Sequence, residues 1–220
     1  PQRALISVSD KTGLGPLASG LVRLGFEIIS TGGTRRFLEE QQIPVSDISE
    51  YTGFPEIMDG RVKTLHPKVH GAILGRPDLE KDATAIAEHG IVPFQVVVCN
   101  LYPFEETISR PDVKIPDAIE QIDIGGPRMV RPAAKNHKYV AIVTKSSQYD
   151  DLLARLADDK LDEQFRRSLA ADAFEMTARY DRAISDYLHQ VTAAEEDRVF
   201  PKTIGITVEK QLNLRYGENP

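Results

Sequence analysis

Short apolar runs and helical repeats alternate along the first 145 residues of the chain. The apolar runs predict strands at residues 4–8, 26–30, 45–48, 96–99 and 139–143. Helical spacing of apolar residues predicts helices at residues 14–24, 35–42 and 83–89. Because strands and helices alternate with short turns between them, the pattern predicts an α/β fold, with a parallel sheet and helices on both of its faces.

The pattern changes after Lys145, where one helical stripe of apolar residues replaces the alternation. Its members advance in steps of three or four: Phe165, Leu169, Ala173, Met176, Tyr180, Ile184, Tyr187 and Val191. The stripe predicts one long amphipathic helix or a broken pair of helices, whose apolar face covers the α/β domain or a partner subunit. A later apolar run, at residues 203–208, predicts one more strand.

The overall charge and the single thiol narrow the class of protein. The chain has 27 Lys or Arg against 33 Asp or Glu among 220 residues, a formal net charge of −6. A net acidic chain argues against non-specific binding to nucleic acid or to an anionic membrane surface. No stretch approaches the roughly 20 apolar residues of a membrane-spanning helix. Cys99 is the one cysteine and cannot form an intramolecular disulfide, and no secretory signal opens the sequence, so we expect a cytoplasmic protein.

The loops that follow the strands are the candidate sites, because ligands of a parallel α/β sheet bind beyond the carboxyl ends of its strands. Ser9, Asp10 and Lys11 follow the first strand and bring two oxygen-bearing side chains and an ammonium ahead of a helix. These residues predict either part of a ligand site or a helix cap at Asp10 or Thr12 beside a solvated lysine.

The loop after the second strand reads Thr31-Gly32-Gly33-Thr34. Two glycines let the backbone approach an anion closely, and the helix that follows directs its free N–H groups towards it. The loop therefore predicts a phosphate site, with a plain turn and helix cap as the alternative. It lacks the three-glycine pattern of dinucleotide sites and the Gly-Lys-Ser/Thr ending of a P-loop, so neither a dinucleotide nor an ATP site is indicated.

Residues 60–71 form a basic segment with three lysines or arginines and two histidines. This density of cations predicts anion binding, and the alternative is a solvated basic loop. His66 and His70 have the four-residue spacing of a zinc pair, but the glutamate of a metalloprotease motif is absent and Pro67 disturbs the helical pattern. We therefore predict no metal site.

The last candidates are a carboxylate and an ammonium that flank one predicted helix. Asp123 precedes a Gly-Gly pair, and Lys135 lies on the helix that follows. A carboxylate and an ammonium that meet in a cleft form a proton-transfer pair, whereas the alternative is a helix cap and a counter-charge to the helix dipole. Asn100 and Tyr102 follow the central strand, in which Cys99 is interpreted as a buried thiol.

Seven motifs together resemble one family. They are, in chain order, Ser-Val-Ser-Asp-Lys-Thr-Gly at 7–13, Thr-Gly-Gly-Thr at 31–34, Thr-Gly-Phe-Pro-Glu at 52–56, Gly-Arg-Val-Lys-Thr-Leu-His-Pro at 60–67, Cys-Asn-Leu-Tyr-Pro-Phe at 99–104, Gln-Ile-Asp-Ile-Gly-Gly at 121–126 and Ala-Ala-Lys-Asn-His at 133–137. The family is the inosine monophosphate cyclohydrolase domain of the bifunctional purine-biosynthesis enzyme. Residues 214–220 resemble the opening of that enzyme's transformylase domain, so we expect the chain to be a fragment of a longer protein.

The resemblance implies a fold and a reaction. The fold is a methylglyoxal synthase-like catalytic domain at residues 1–145, followed by a helical extension at 146–200 and by a linker with the start of a truncated transformylase domain at 201–220. The reaction is the last step of purine synthesis, in which formamidoimidazole carboxamide ribotide closes its pyrimidine ring and loses water to give inosine monophosphate. The enzyme is then a hydrolase of the cyclic amidine class, and no transformylase activity is expected in this fragment.

The resemblance also implies partners and cofactors. The partners are the ribotide substrate, the inosine monophosphate product and a second copy of the chain in a homodimer, with no nucleic acid and no membrane. No metal or organic cofactor is implied for the ring closure. Formyl-tetrahydrofolate is implied only for the missing transformylase domain.

Matching the motifs residue by residue implies the site. Substrate binding is implied for Ser9, Asp10, Lys11, Thr31, Gly32, Gly33, Thr34, Arg61, Val62, Thr64, Cys99, Asn100 and Ile124. The implied catalytic residues are Lys63, Tyr102, Asp123 and Lys135. We expect Lys135 and Asp123 to form the proton-transfer pair. We expect Lys63 to stabilise the developing formyl oxyanion. We expect Tyr102 to orient the reacting groups or to relay a proton.

One residue departs from the family pattern, and two other functions remain open. Pro132 stands where the family has a small non-proline residue, and a proline inside a helix is expected to affect the pose of Lys135.

Related folds serve as allosteric domains in carbamoyl phosphate synthetase, so a non-catalytic phosphate or nucleotide sensor is one alternative. A methylglyoxal synthase-like lyase acting on a triose phosphate is the other, and it needs a catalytic carboxylate in its own early loop.

Overall fold

A parallel sheet forms the centre of the protein. The computed structural model describes residues 2–58 and 62–193, together with Gly205 and Val208. The strands in this part of the chain are β1 (Gln2–Ser7), β2 (Phe26–Ser30), β3 (Ser46–Asp47), β4 (Val96–Cys99) and β5 (Ala141–Val143). They pair in parallel in the order β3-β2-β1-β4-β5, which confirms the predicted α/β class.

Strands β4 and β5 are buried along their whole length, as their unbroken apolar sequences predict. All residues of β4, Val-Val-Val-Cys, are buried, and so are those of β5. The register pairs Ile6 with Ser30 and Ser7 with Cys99, so β1, β2 and β4 end at nearly the same level. The third strand is only two residues long, shorter than predicted. The strand predicted at 203–208 lies outside the described residues.

Helices cover the sheet and connect its strands. Their bounds are α1 (Leu14–Arg23), α2 (Gly32–Glu40), α3 (Ile48–Thr52), α4 (Pro67–Leu74), α5 (Glu80–Glu88), α6 (Phe104–Ile108), α7 (Ile115–Glu120), α8 (Gly125–Lys135), α9 (Tyr149–Ala157) and α10 (Glu163–Thr192). A 3₁₀ turn at Ser146–Gln148 leads into α9. None of these helices is long and apolar enough to cross a membrane, and that finding covers the described residues only.

Two local predictions needed correction. The helix predicted to begin at Arg35 begins at Gly32, because the Thr31 carbonyl already accepts the N–H groups of Thr34 and Arg35. Gly32 itself has a φ of +41°, in the left-handed region that glycine tolerates. Pro67 was expected to disturb a helix but opens α4, since the first helical position needs no N–H donor. His66 caps that helix through its Nδ1, which accepts the Lys68 N–H at 3.1 Å.

The apolar stripe after Lys145 forms one unbroken helix. Asp162 caps α10 by accepting the Phe165 N–H at 2.7 Å, and the helix then runs for 30 residues. It packs against α8, β5 and α6, so the stripe covers the α/β core within the chain. Pro132 lies inside α8, which nevertheless continues to Lys135.

Candidate functional site

The candidate site lies where the order of the strands changes direction. From β1 the chain moves outward through β2 to β3, whereas β4 lies on the other side of β1 and leads to β5. In open α/β sheets, ligands bind in the crevice beyond the carboxyl ends of the strands at such a point. The loops that follow β1, β2 and β4 meet there, and all of them carry residues singled out by sequence.

Asn100 joins the loop after β4 to the loop after β1. Its Oδ1 accepts the N–H groups of Ser9 at 2.6 Å and Asp10 at 3.1 Å, and its Nδ2 donates to the Asp10 carbonyl at 2.9 Å. The Asp10 carboxylate in turn accepts from the backbone N–H and the hydroxyl of Thr12, which holds the pKa of Asp10 below its usual value. The predicted helix cap is wrong, because Gly13 occupies that position without a side-chain cap. Asn100 therefore fixes the shape of the Ser9–Lys11 loop.

Thr31–Thr34, named here the glycine turn, presents backbone rather than hydroxyl groups to the crevice. The Thr31 hydroxyl hydrogen-bonds Ser7 Oγ at 3.1 Å. The Thr34 hydroxyl accepts the Val8 N–H at 3.0 Å and donates to the Val8 carbonyl at 2.9 Å. Both threonine side chains are buried. Because the first N–H groups of a helix have no intrahelical acceptor, Gly32 and Gly33 offer the anion-binding groups of this turn.

Lys63 reaches the glycine turn from the basic segment. A Cβ built on Gly32 would stand 3.2 Å from Lys63 Nζ, so the ammonium lies directly against this glycine. The same ammonium pairs with the Glu56 carboxylate at 3.5 Å and is close enough to Asp123 to lower the pKa of its carboxyl group. Arg61, which the family resemblance assigned to binding, lies outside the described residues. Its neighbour Val62 forms an antiparallel bridge with Ile57.

Asp123–Gly126, named here the acid turn, holds a carboxylate at the start of α8. Asp123 Oδ1 accepts the Gly126 N–H at 2.8 Å, and the N–H groups of Gly125 and Tyr102 also bind this carboxylate. Burial raises the pKa of Asp123 above its usual value, although these N–H groups and Lys63 oppose the rise. A carboxylate with a raised pKa in a crevice is suited to accept a proton.

The remaining residues around the acid turn differ in accessibility. Tyr102 is 45% exposed, and burial of its ring together with the nearby Asp123 carboxylate raises the pKa of its hydroxyl. Thr64 is buried, with its Oγ1 3.1 Å from where a Cβ on Gly125 would stand. Ile124 is exposed at the entrance to α8. Cys99 is buried and its pKa is raised, so its thiol is an unsuitable nucleophile, as the sequence indicated.

The structure adds two residues that the sequence reasoning did not assign to the site. Glu56 belongs to a quoted motif, but only the fold shows that its carboxylate pairs with Lys63. Tyr180 belongs to the apolar stripe of α10, and its hydroxyl accepts the Asp123 N–H at 2.8 Å. No local signal identifies Tyr180, because its spacing is that of a packing residue and its contact spans 57 positions.

Lys135 does not join this cluster within one chain. It lies on α8 ten residues after Gly125, a distance of about 15 Å at 1.5 Å per residue. Its side chain is exposed in a groove of about 510 Å³ that is lined by Leu74, Arg131, Pro132, Ala134, Lys135, His137 and Phe174, named here the α8 groove. The expected pairing of Lys135 with Asp123 is therefore not formed inside a single copy of the chain.

Two family models match the chain in succession. Residues 13–128 match the model described as "MGS-like domain", and residues 133–220 match the model described as "AICARFT/IMPCHase bienzyme". The first match covers the loops of the candidate site from Gly13 to Arg128. The second begins within α8 and includes α10.

Curated relatives and a solved structure agree with these matches. The chain is 53% identical to the "Bifunctional purine biosynthesis protein PurH" of Bacillus cereus (strain B4264) and of Bacillus mycoides (strain KBAB4), and 52% identical to that of Bacillus thuringiensis (strain Al Hakam). Each match covers all of this chain but 42% of the relative, so the chain spans less than half of their length. A structure titled "Crystal structure of ForH" is 34% identical, has a TM-score of 0.80 and covers 88% of this chain and 100% of its own. These relatives support a role in purine biosynthesis, and the chain belongs to the MGS-like domain family, in the form found in the N-terminal region of the PurH proteins.

Proposed function

We propose that this chain catalyses the dehydrative ring closure of formamidoimidazole carboxamide ribotide to inosine monophosphate. The PurH relatives and the bienzyme model support a purine pathway enzyme. The observation that carries the proposal is the position of Lys63, which lies against the anion-binding glycine turn and within electrostatic reach of Asp123. The anion-binding glycine turn thus lies next to a carboxylate with a raised pKa. A phosphorylated substrate that must lose a proton requires both features.

The ribotide phosphate binds at the glycine turn in this proposal. The N–H groups of Gly32 and Gly33 point at the oxygens, and the positive end of the α2 dipole favours the charge. The loop fixed by Asn100 lies alongside and contacts the rest of the nucleotide. Such binding uses a part of the substrate that does not react, so it serves to place the reacting groups.

The acid turn handles the protons of the reaction. The carboxamide nitrogen loses one proton to Asp123 and forms a bond to the formyl carbon, whose oxygen becomes an oxyanion. Lys63 and backbone N–H groups stabilise that oxyanion, which then takes up a proton. The resulting hydroxyl leaves as water with the proton of the former formamido nitrogen, and a C=N bond remains. At the exposed side of the turn, Tyr102 orients the reacting groups or relays a proton.

Lys135 acts from a second copy of the chain in this proposal. Within one chain it lies at the far end of α8, so only a homodimer brings it to an acid turn. Asp123→Asn and Lys135→Ala should each lose nearly all activity alone. If mixed and allowed to exchange subunits, they should regain about a quarter of the wild-type activity, because half of the dimers then carry one intact site of two. Absence of recovery in exchanged dimers would remove Lys135 from the partner's site.

The test of the proposal is a pair of absorbance assays on the purified chain. The ribotide should give the ultraviolet change of ring closure, whereas dihydroxyacetone phosphate should not be consumed. Turnover should survive dialysis against EDTA, since no step above uses a metal or an organic cofactor. Consumption of dihydroxyacetone phosphate would favour the lyase instead. Binding of the ribotide without turnover would favour the sensor.

A further inference from the structure

We infer that Tyr180 of α10 is a positioning residue for the Asp123 carboxylate. The inference rests on the proposed function, because it assigns Tyr180 a role in the same ring closure. It also gives α10 a task beyond covering the sheet: one hydroxyl of this helix sets the shape of the acid turn.

The Tyr180 hydroxyl hydrogen-bonds the backbone of Gln121 and of Asp123, the two neighbours of Ile122. Its oxygen accepts a hydrogen bond from the Asp123 N–H at 2.8 Å, and its O–H donates a hydrogen bond to the Gln121 carbonyl at 3.0 Å. A tyrosine hydroxyl has an ordinary pKa of about 10 and keeps this proton at neutral pH, and burial raises the pKa of Tyr180 further. A single group therefore closes the segment from Gln121 to Asp123 into a fixed turn.

The ring that carries this hydroxyl has little freedom to move. Tyr180 is 7% exposed and meets the Phe104 ring edge-on, with the ring centroids 6.1 Å apart. Phe104 is itself buried, and it is held on another side by Tyr187. Because α10 is one continuous helix that also packs on α8 and β5, the hydroxyl is fixed relative to the sheet.

The backbone position of Asp123 sets the environment of its carboxylate. Asp123 keeps its N–H contacts to Gly125, Gly126 and Tyr102 only while its own backbone stays in place. These contacts lower the pKa of the carboxyl group and fix its orientation, so loss of the Tyr180 hydroxyl should both raise that pKa and misalign the proton acceptor. Tyr180 touches no reacting atom in this account and acts through Asp123.

The test compares Tyr180→Phe with Tyr187→Phe. Both tyrosines lie on α10, both are nearly buried and both meet Phe104 edge-on, but among the described residues the Tyr187 hydroxyl makes no hydrogen bond. Tyr180→Phe should lower kcat for ring closure roughly tenfold or more and leave KM within about twofold, because the glycine turn is untouched. The acidic limb of the pH profile should move to higher pH, since a carboxyl group of higher pKa is protonated sooner as the pH falls. Tyr187→Phe should match the wild type in all these measurements.

A second measurement separates this inference from the proposed function. The Asp123 carboxyl group can be titrated by ¹³C NMR in the ligand-free chain, with Asp123→Asn to identify its resonance. A higher pKa in Tyr180→Phe than in Tyr187→Phe supports the inference even if the wild type fails to turn over the ribotide. Equal pKa values in the two variants, or equal losses of kcat with an unmoved acidic limb, overturn it.

Discussion

The molecule starts two helices on a Gly-Gly pair at the same edge of the sheet, and the two pairs have opposite surroundings. Among the described residues, nothing lies within 4 Å of where a Cβ on Gly33 would stand, and a Cβ on Gly32 would meet the Lys63 ammonium alone. In the acid turn, a Cβ on Gly126 would stand 2.6 Å from both Asp123 Oδ2 and Leu101 Cδ2. One pair of N–H groups faces the crevice, and the other is already occupied by the chain's own carboxylate.

The difference shows how one local sequence feature serves two kinds of chemistry. A helix start with exposed N–H groups and a cation beside it attracts an anion from outside. A helix start that already binds an internal carboxylate adds no net attraction for a second anion, but it holds that carboxylate in a defined position. The first arrangement fits a site that binds substrate, and the second fits a site that moves a proton.

The largest effect is expected for Asp123→Asn. The amide can still accept the Gly126 N–H but cannot take a proton, so turnover of the ribotide should fall by about 10²- to 10⁴-fold. Thermal stability should not fall, because the variant removes a charge whose burial is unfavourable. Asp117→Asn, at an exposed carboxylate on the nearby α7, is the control and should keep full activity. Turnover of Asp123→Asn within a few-fold of the wild type would contradict the role of the acid turn.

An alanine in each glycine pair should separate stability from binding. Gly126→Ala places a methyl group against Asp123 and Leu101, so it should lower the free energy of unfolding by about 1–3 kcal/mol. Gly33→Ala places its methyl group within 4 Å of no described residue and should leave stability unchanged, yet a methyl group in the crevice should weaken ribotide binding about tenfold. Urea denaturation and calorimetric titration measure the two quantities. The reverse outcome would mean that the two turns have been assigned the wrong way round.

The smallest effect is expected for Glu56→Gln. The Glu56 carboxylate holds Lys63 at 3.5 Å in the ligand-free chain and therefore competes with an incoming phosphate for this ammonium. Because exposed ion pairs contribute about 0–1 kcal/mol, removal of the charge should tighten phosphate binding by no more than about fivefold. Glu50→Gln, on α3, is the control for a general change in charge. Weaker binding in Glu56→Gln alone would show that Glu56 supports the site rather than competing for Lys63.

The raised pKa of Asp123 also predicts a pH dependence. The carboxylate must be ionised to accept the proton, so kcat should fall as the pH drops through a value above the ordinary carboxyl range. In Asp123→Asn this acidic limb should disappear from any residual activity. A limb that persists unchanged in the variant would assign the titration to another group.

The sequence predicted β1, β2, β4 and β5 because each of these strands contains a short apolar run. β4 is buried on both faces, so its Val-Val-Val-Cys run has no helical interpretation at that length. The start of α2 was missed because two glycines indicate a turn, and only the hydrogen bonds from the Thr34 and Arg35 N–H groups to the Thr31 carbonyl show that the helix includes them. Short helices such as α6 and α7 were missed because five or six residues carry too little periodicity.

The site was predicted as a set of loops but not as a set of contacts. Parallel topology brings the loops after β1, β2 and β4 to one edge, and this follows from the pattern of strands alone. The pairing of Lys63 with Gly32, the clamp by Asn100 and the reach of Tyr180 depend on side-chain directions that no spacing encodes. Lys135 shows the converse, since its motif matches the family while its place in the fold separates it from Asp123.

The central claim is that the glycine turn binds the anion of the substrate, whereas the N–H groups of the acid turn stay bound to the Asp123 carboxylate. An NMR titration tests this claim most directly. Inorganic phosphate is added to the ¹⁵N-labelled chain, and the amide resonances of Gly32, Gly33, Gly125 and Gly126 are followed. The account predicts saturable shifts at Gly32 and Gly33 and none at Gly125 and Gly126. Shifts at Gly125 and Gly126 with none at Gly32 and Gly33 would contradict it.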